Sequence, residues 1–152
     1  MNDSWRRGGP LSTRLLAAGA AVLTVAVALG IRAGATGATG ASGVSGAVGK
    51  YAGDALYTVL LHALVVLAVP RVRPLVAAAV ALGVSWAVEF SQLSTVPGEL
   101  SARSTLARLV LGSTFNAPDL FWYAVGAVSG WFVHAMLNAF SSRRTVGVVR
   151  EN

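Results

Sequence analysis

The chain has 152 residues, 55% hydrophobic and 12% charged, with a mean hydropathy of +0.65. A soluble domain of this size carries roughly twice that share of charge, so the composition excludes an ordinary water-soluble globule and points to one integral membrane domain. The net charge of +6 and the pI near 11.1 raise nucleic acid as a partner, but the charges cap apolar runs instead of forming a patch; the lack of cysteine excludes disulfides, thiolate catalysis and cysteine metal sites.

Residues 1–14 are a basic N-terminal segment holding Arg6, Arg7 and Arg14. Span one is expected over about 15–31, uncharged and rich in Ala, Val and Leu. A basic start, an apolar core and the "AGA" of Ala33 to Ala35 also fit a secretory signal peptide, and that reading stays open. In the next segment Gly34, Gly37, Gly40, Gly43, Gly46 and Gly49 recur at a period of three. The spacing is that of collagen, but without proline and over too short a run for a triple helix; a flexible low-complexity linker is expected.

Span two is expected over about 51–69, with Asp54 near its start and Thr58 and His62 continuing the same stripe at intervals of four. The tight "PRVRP" link, with Arg71 and Arg73, leads into span three, about 75–93. Glu89 lies 14 residues into that span, about 21 Å along a helix, with Ser85 one turn before it and Gln92 one turn after. The following loop contains "SARSTLARLVLG", which reads as a short amphipathic helix capped by Ser101 and stopped by Gly112, with Arg103 and Arg108 as its cations. Span four, about 119–140, opens on Asp119 with Tyr123 one turn inside, and holds His134 and the pair Gly126 and Gly130. Such a GxxxG pair lets another helix approach closely. Trp86, Trp122 and Trp131 suit interfaces or pocket walls equally. A basic tail, 141–152, follows with Arg143, Arg144 and Arg150.

Eight basic residues thus fall at one end of the spans, against Arg32, Lys50, Arg103 and Arg108 at the other. The positive-inside rule then places both termini in the cytoplasm. The expected fold class is all-α: a membrane four-helix bundle with a short amphipathic helix in the second outer loop. Asp54, Glu89 and Asp119 arrive from three helices at similar depth, near Lys50, Arg103 and Arg108, which defines a polar pocket facing the outer leaflet. Asp119 and Asp54 also suit helix starts as caps, Lys50 also suits a headgroup contact, and the two histidines also suit packed, hydrogen-bonded sites. Glu89 is not at a helix end. An ionised group there costs roughly 2.5–3.5 kcal/mol on insertion, so it needs a partner or a proton: an ion pair with Arg103, Arg108 or Lys50, or a ligand.

The blocks "VGKYAGDALYTVLL", "WAVEFSQL" and "LARLVLGSTFNAPDLFWYAVGAVSG" resemble a bacterial family of small four-span membrane proteins of unknown function. That family looks like a relative of the VanZ-like proteins, named for a protein associated with teicoplanin resistance. The resemblance spans about Val48 to Trp131. It implies a matching basic and polar pair at Lys50 and Asp54, a Glu-x-x-Gln at Glu89 and Gln92, a loop arginine at Arg103, and a helix-opening Asp119. The chain departs from the VanZ-like pattern at Asp54, where a His is common, and at Tyr123, where an Asn is common.

The expectation is a protein of the bacterial plasma membrane whose pocket binds an anionic lipid-linked or cell-envelope molecule, such as a polyprenyl phosphate or a phospholipid headgroup. Lys50, Asp54, Glu89, Gln92, Arg103, Arg108, Asp119 and Tyr123 are its candidate residues. Neither a cofactor nor nucleic acid is implied, while a homo-oligomer or a partner membrane protein stays open. Three other readings remain: a membrane enzyme with Glu89 as base and Asp54 and Asp119 holding a metal or substrate, a structural accessory subunit with an internal ion-pair network, and a proton-coupled transporter.

Overall fold

The computed structural model describes residues 10–37, 44–94, 96–106, 111 and 114–149. Among them are five helices and no strand: α1 (Pro10–Gly37), α2 (Val44–Ala68), α3 (Pro74–Ser91), α4 (Val96–Arg103) and α5 (Ala117–Val149). The four longer helices contain apolar stretches at Leu11–Ile31, Val48–Ala68, Pro74–Ser91 and Ala117–Phe140, each long enough to cross a bilayer. The chain is a multi-pass helical membrane protein.

Local sequence explains most helix ends. Arg73 precedes a proline and takes the extended conformation that proline imposes on its neighbour (φ −69°, ψ 139°), and Pro74 then starts α3 where no backbone donor is needed. Backbone hydrogen bonds from Val69 to Val65 and from Val72 to Val69 fold the short link, so α2 and α3 run antiparallel. α5 continues past its apolar stretch into the basic tail as far as Val149.

Two expectations are corrected. The glycine-periodic stretch is not a linker throughout: α1 runs to Gly37 and α2 already begins at Val44, with only residues 38–43 between them outside the described part. A Cβ on Gly49 would sit 3.6 Å from Ile31 Cγ2, so small residues let the two helix ends approach. The amphipathic helix of the second loop also starts earlier, at Val96. Pro97 and Glu99 lie in its first turn, where both suit a helix start, and Ser101 lies inside it. Helix is interrupted at Ser104 and resumes at 105–106; residues 107–110, including Arg108, lie outside the described part.

α1 packs on α2, α2 on α3 and α5, and α3 on α5. Ala17, Val66 and Ala77, from α1, α2 and α3, form an apolar core at the end nearest the α2–α3 link. Large apolar side chains such as Leu23, Leu75, Phe121 and Phe132 face outward, as a lipid-facing surface requires. At the α2–α5 contact, a methyl group on Gly126 would overlap the Ala55 carbonyl, and one on Gly130 would lie 3.1 Å from His62 Cγ. The GxxxG pair lies at this contact, Gly126 against the α2 backbone and Gly130 against the His62 ring.

Candidate functional site

The polar residues converge at the bundle end opposite the Ala17–Val66–Ala77 core. α2 begins at Val44, so Lys50 and Asp54 stand in its second and third turns instead of at its start. Asp54 therefore does not cap the helix. Asp119 lies in the first turn of α5. The Lys50 ammonium bonds the Asp119 carboxylate and lies 3.5 Å from Asp54 Oδ2. The Asn116 side-chain amide donates to Asp119 at 2.5 Å.

Glu89 is 1% exposed, and both its oxygens accept hydrogen bonds: Oε1 from the Asn116 backbone N–H at 2.6 Å, Oε2 from the Tyr123 hydroxyl at 3.1 Å. Its partners are thus a backbone donor and a phenol; among the described residues no ion pair joins it to Lys50 or Arg103, and Arg108 lies outside them. Two donors on a carboxylate are the arrangement that keeps a buried acidic group satisfied. Gln92 donates to the Leu111 carbonyl at 2.6 Å, while its Oε1 is buried without a partner among the described residues. Arg103 is exposed at the end of α4 and makes no ion pair among the described residues.

Aromatic contacts and one indole bond hold the surrounding walls. Tyr51 stacks on Trp122 with centroids 5.3 Å apart, and Tyr57 lies against Tyr123 at 6.2 Å. Trp86 donates its indole N–H to the Leu120 carbonyl at 3.2 Å, tying α3 to α5. Below the acidic cluster, the Thr58 and Ser85 hydroxyls pair at 2.9 Å, and Ser85 bonds the Ala81 carbonyl. One turn further along α2, His62 Nε2 meets His134 Nδ1 at 3.2 Å.

A cavity of about 670 Å³ opens onto this cluster. Six of the eight residues singled out from sequence line it: Lys50, Asp54, Glu89, Gln92, Asp119 and Tyr123. The other wall was not legible beforehand. It comes from α1, through Thr24, Val25, Ala28, Leu29 and Ile31, in a span with no charge to draw attention to it. Asn116 was also missed; its place just before the "APD" start of α5 was the available signal, since residues there present free donors. The cavity is therefore two-natured, lined by carboxylates and an ammonium together with α1 hydrocarbon, Leu56, Leu60 and Val88. Among the described residues no three histidine, aspartate or glutamate side chains converge closely enough to hold a metal ion.

Residues 44–127 match the family model described as "Protein of unknown function (DUF2809)". The match takes in all six clustered residues and leaves out α1 and His134. No curated protein matches the chain, and no solved structure does.

Proposed function

Since the chain belongs to this family of unknown function, we propose a role argued from the site: binding an amphipathic membrane molecule, its polar head at the Lys50–Asp54–Glu89–Asp119 cluster and its hydrocarbon along α1. The observation that carries this reading is one cavity lined by both kinds of surface. Its volume lies within the roughly 300–1,000 Å³ of small-molecule sites. α1 and α3 flank it without extensive contact with each other, which leaves a route for a lipid to enter sideways.

The VanZ-like resemblance agrees with a cell-envelope ligand in a bacterial plasma membrane, and the basic termini agree with a site open to the outer leaflet. The chemistry of the head follows from the charge inventory. Lys50 already serves two carboxylates, and Glu89 adds a third. A phosphate or pyrophosphate head, as on a polyprenyl carrier, must draw Lys50 away from Asp54 and Asp119. An amine-bearing phospholipid head meets the carboxylates directly.

Native mass spectrometry of the purified full-length protein tests the reading against phosphatidylglycerol, phosphatidylethanolamine and a polyprenyl phosphate. Gly53 lines the cavity, and a Cβ there meets nothing within 4 Å, so Gly53→Leu fills the space without a clash at the backbone. Retention of at least one of these lipids should fall by about tenfold in Gly53→Leu with helicity and melting unchanged. Equal retention by wild type and variant would sink the proposal.

A further inference from the structure

From the cavity's acidic cluster inward, the bundle interior stays polar in a column that the cavity lining does not include beyond Asp54. Asp54, Thr58 and His62 share one face of α2 at intervals of four, and that face meets α3 and α5. Thr58 and Ser85 are 0% exposed and paired with each other, and His62 is 5% exposed and paired with His134. Small apolar residues would pack these helices at less cost. Buried ionisable residues at such depth are the usual components of proton and ion pathways.

The histidine pair is built into the helix contact. Gly130 leaves room for the His62 ring, whose Cγ and Nδ1 lie 3.1 and 3.2 Å from where its Cβ would be. His62 Nδ1 is buried with no partner among the described residues. The hydrogen-bond pattern assigns the tautomer. If His134 donated, His62 would hold an unpaired N–H in the core, which is costly. With His62 Nε2–H donating to His134 Nδ1, the unpaired atom is a bare nitrogen, free to accept a proton.

We propose that His62 and His134 form an imidazole relay carrying protons along the bundle between the acidic cluster and the opposite end. A proton arrives on His62 Nδ1, the Nε2 proton of His62 passes to His134 Nδ1, and His134 releases its Nε2 proton. One proton enters and one leaves; both rings end in the opposite tautomer and reset by rotation. Asp119 and His134 are 15 residues apart on α5, about 22 Å of a hydrocarbon layer near 30 Å thick. Cluster, hydroxyl pair and histidine pair follow at successive turns of α2, each about 6 Å of helix rise from the last. His134 is the titratable group that α5 presents to His62. α3 has Glu89 as the acidic residue of its span, and α1 has no titratable residue between Leu15 and Ile31.

The relay stands apart from the lipid reading, and the test separates them. Full-length protein in liposomes loaded with the pH dye pyranine is driven by a potassium diffusion potential set with valinomycin. Proton flux should exceed that of protein-free vesicles and fall by about tenfold in His62→Leu. His134→Leu should fall equally; His134 is only half-buried, so this variant keeps the test open should His62→Leu fail to fold. Neither histidine lines the cavity, so both variants should retain lipid as wild type does, which keeps failure of the relay distinct from failure of the lipid reading. Wild-type flux no greater than that of empty vesicles overturns the relay, as does undiminished flux in folded histidine variants.

Discussion

Glu89 is buried in the last turn of α3, nearer the helix end than its sequence suggests, and the two hydrogen bonds it accepts show how the fold tolerates it. Both donors come from α5 and the residue leading into it, so the carboxylate also positions the start of α5. Glu89→Leu would strand the Asn116 N–H and the Tyr123 hydroxyl, and Tyr123→Phe would strand one carboxylate oxygen. Each lost partner should cost about 1–3 kcal/mol, read as a lower melting temperature in detergent. Glu89→Gln should cost less than about 1 kcal/mol, because the amide can accept from Asn116 and donate to Tyr123. It also removes one of three neighbouring negative charges. A large loss in Glu89→Gln would show that the charge itself holds the fold.

Helix contacts depend on which glycines face a neighbour. Gly126 faces the Ala55 carbonyl with no space for a methyl group, while Gly53 has open space before it. Gly126→Ala should therefore force α2 and α5 apart and reduce the folded yield in size-exclusion chromatography. Gly53→Ala should be neutral or slightly stabilising, since alanine is favoured over glycine in a helix by about 1 kcal/mol. Equal behaviour of the two would contradict the close α2–α5 contact at Gly126. The same logic explains the glycine-periodic stretch. Its composition alone resembles a linker, but Gly49 lies at a helix–helix contact with Ile31, and packing against α1 outweighs the weak local propensity.

At the scale of the whole molecule, α1 is the wall that turns a polar cluster into a cavity, and orientation decides which leaflet the cavity meets. The chain has no cysteine, so single substitutions report topology cleanly. Val69→Cys in the α2–α3 link should react with a membrane-impermeant maleimide only after the membrane is opened. Glu99→Cys on exposed α4 should react in intact cells. The reverse pattern would turn the site toward the cytoplasm.

Four helices could be read from residue order alone, because apolar runs near bilayer length and charge-free are a strong one-dimensional signal. So could the similar depth of Asp54, Glu89 and Asp119, since helical rise converts spacing into height. Height is not contact, however. Which side chains touch depends on how each helix is rotated about its axis and on what it packs against, and spacing within a single helix does not contain that information. Only the tertiary structure gave Glu89 to Asn116 and Tyr123, gave Lys50 to Asp119 and Asp54, left Arg103 exposed, set an uncharged α1 beside the cluster, and brought His62 against His134.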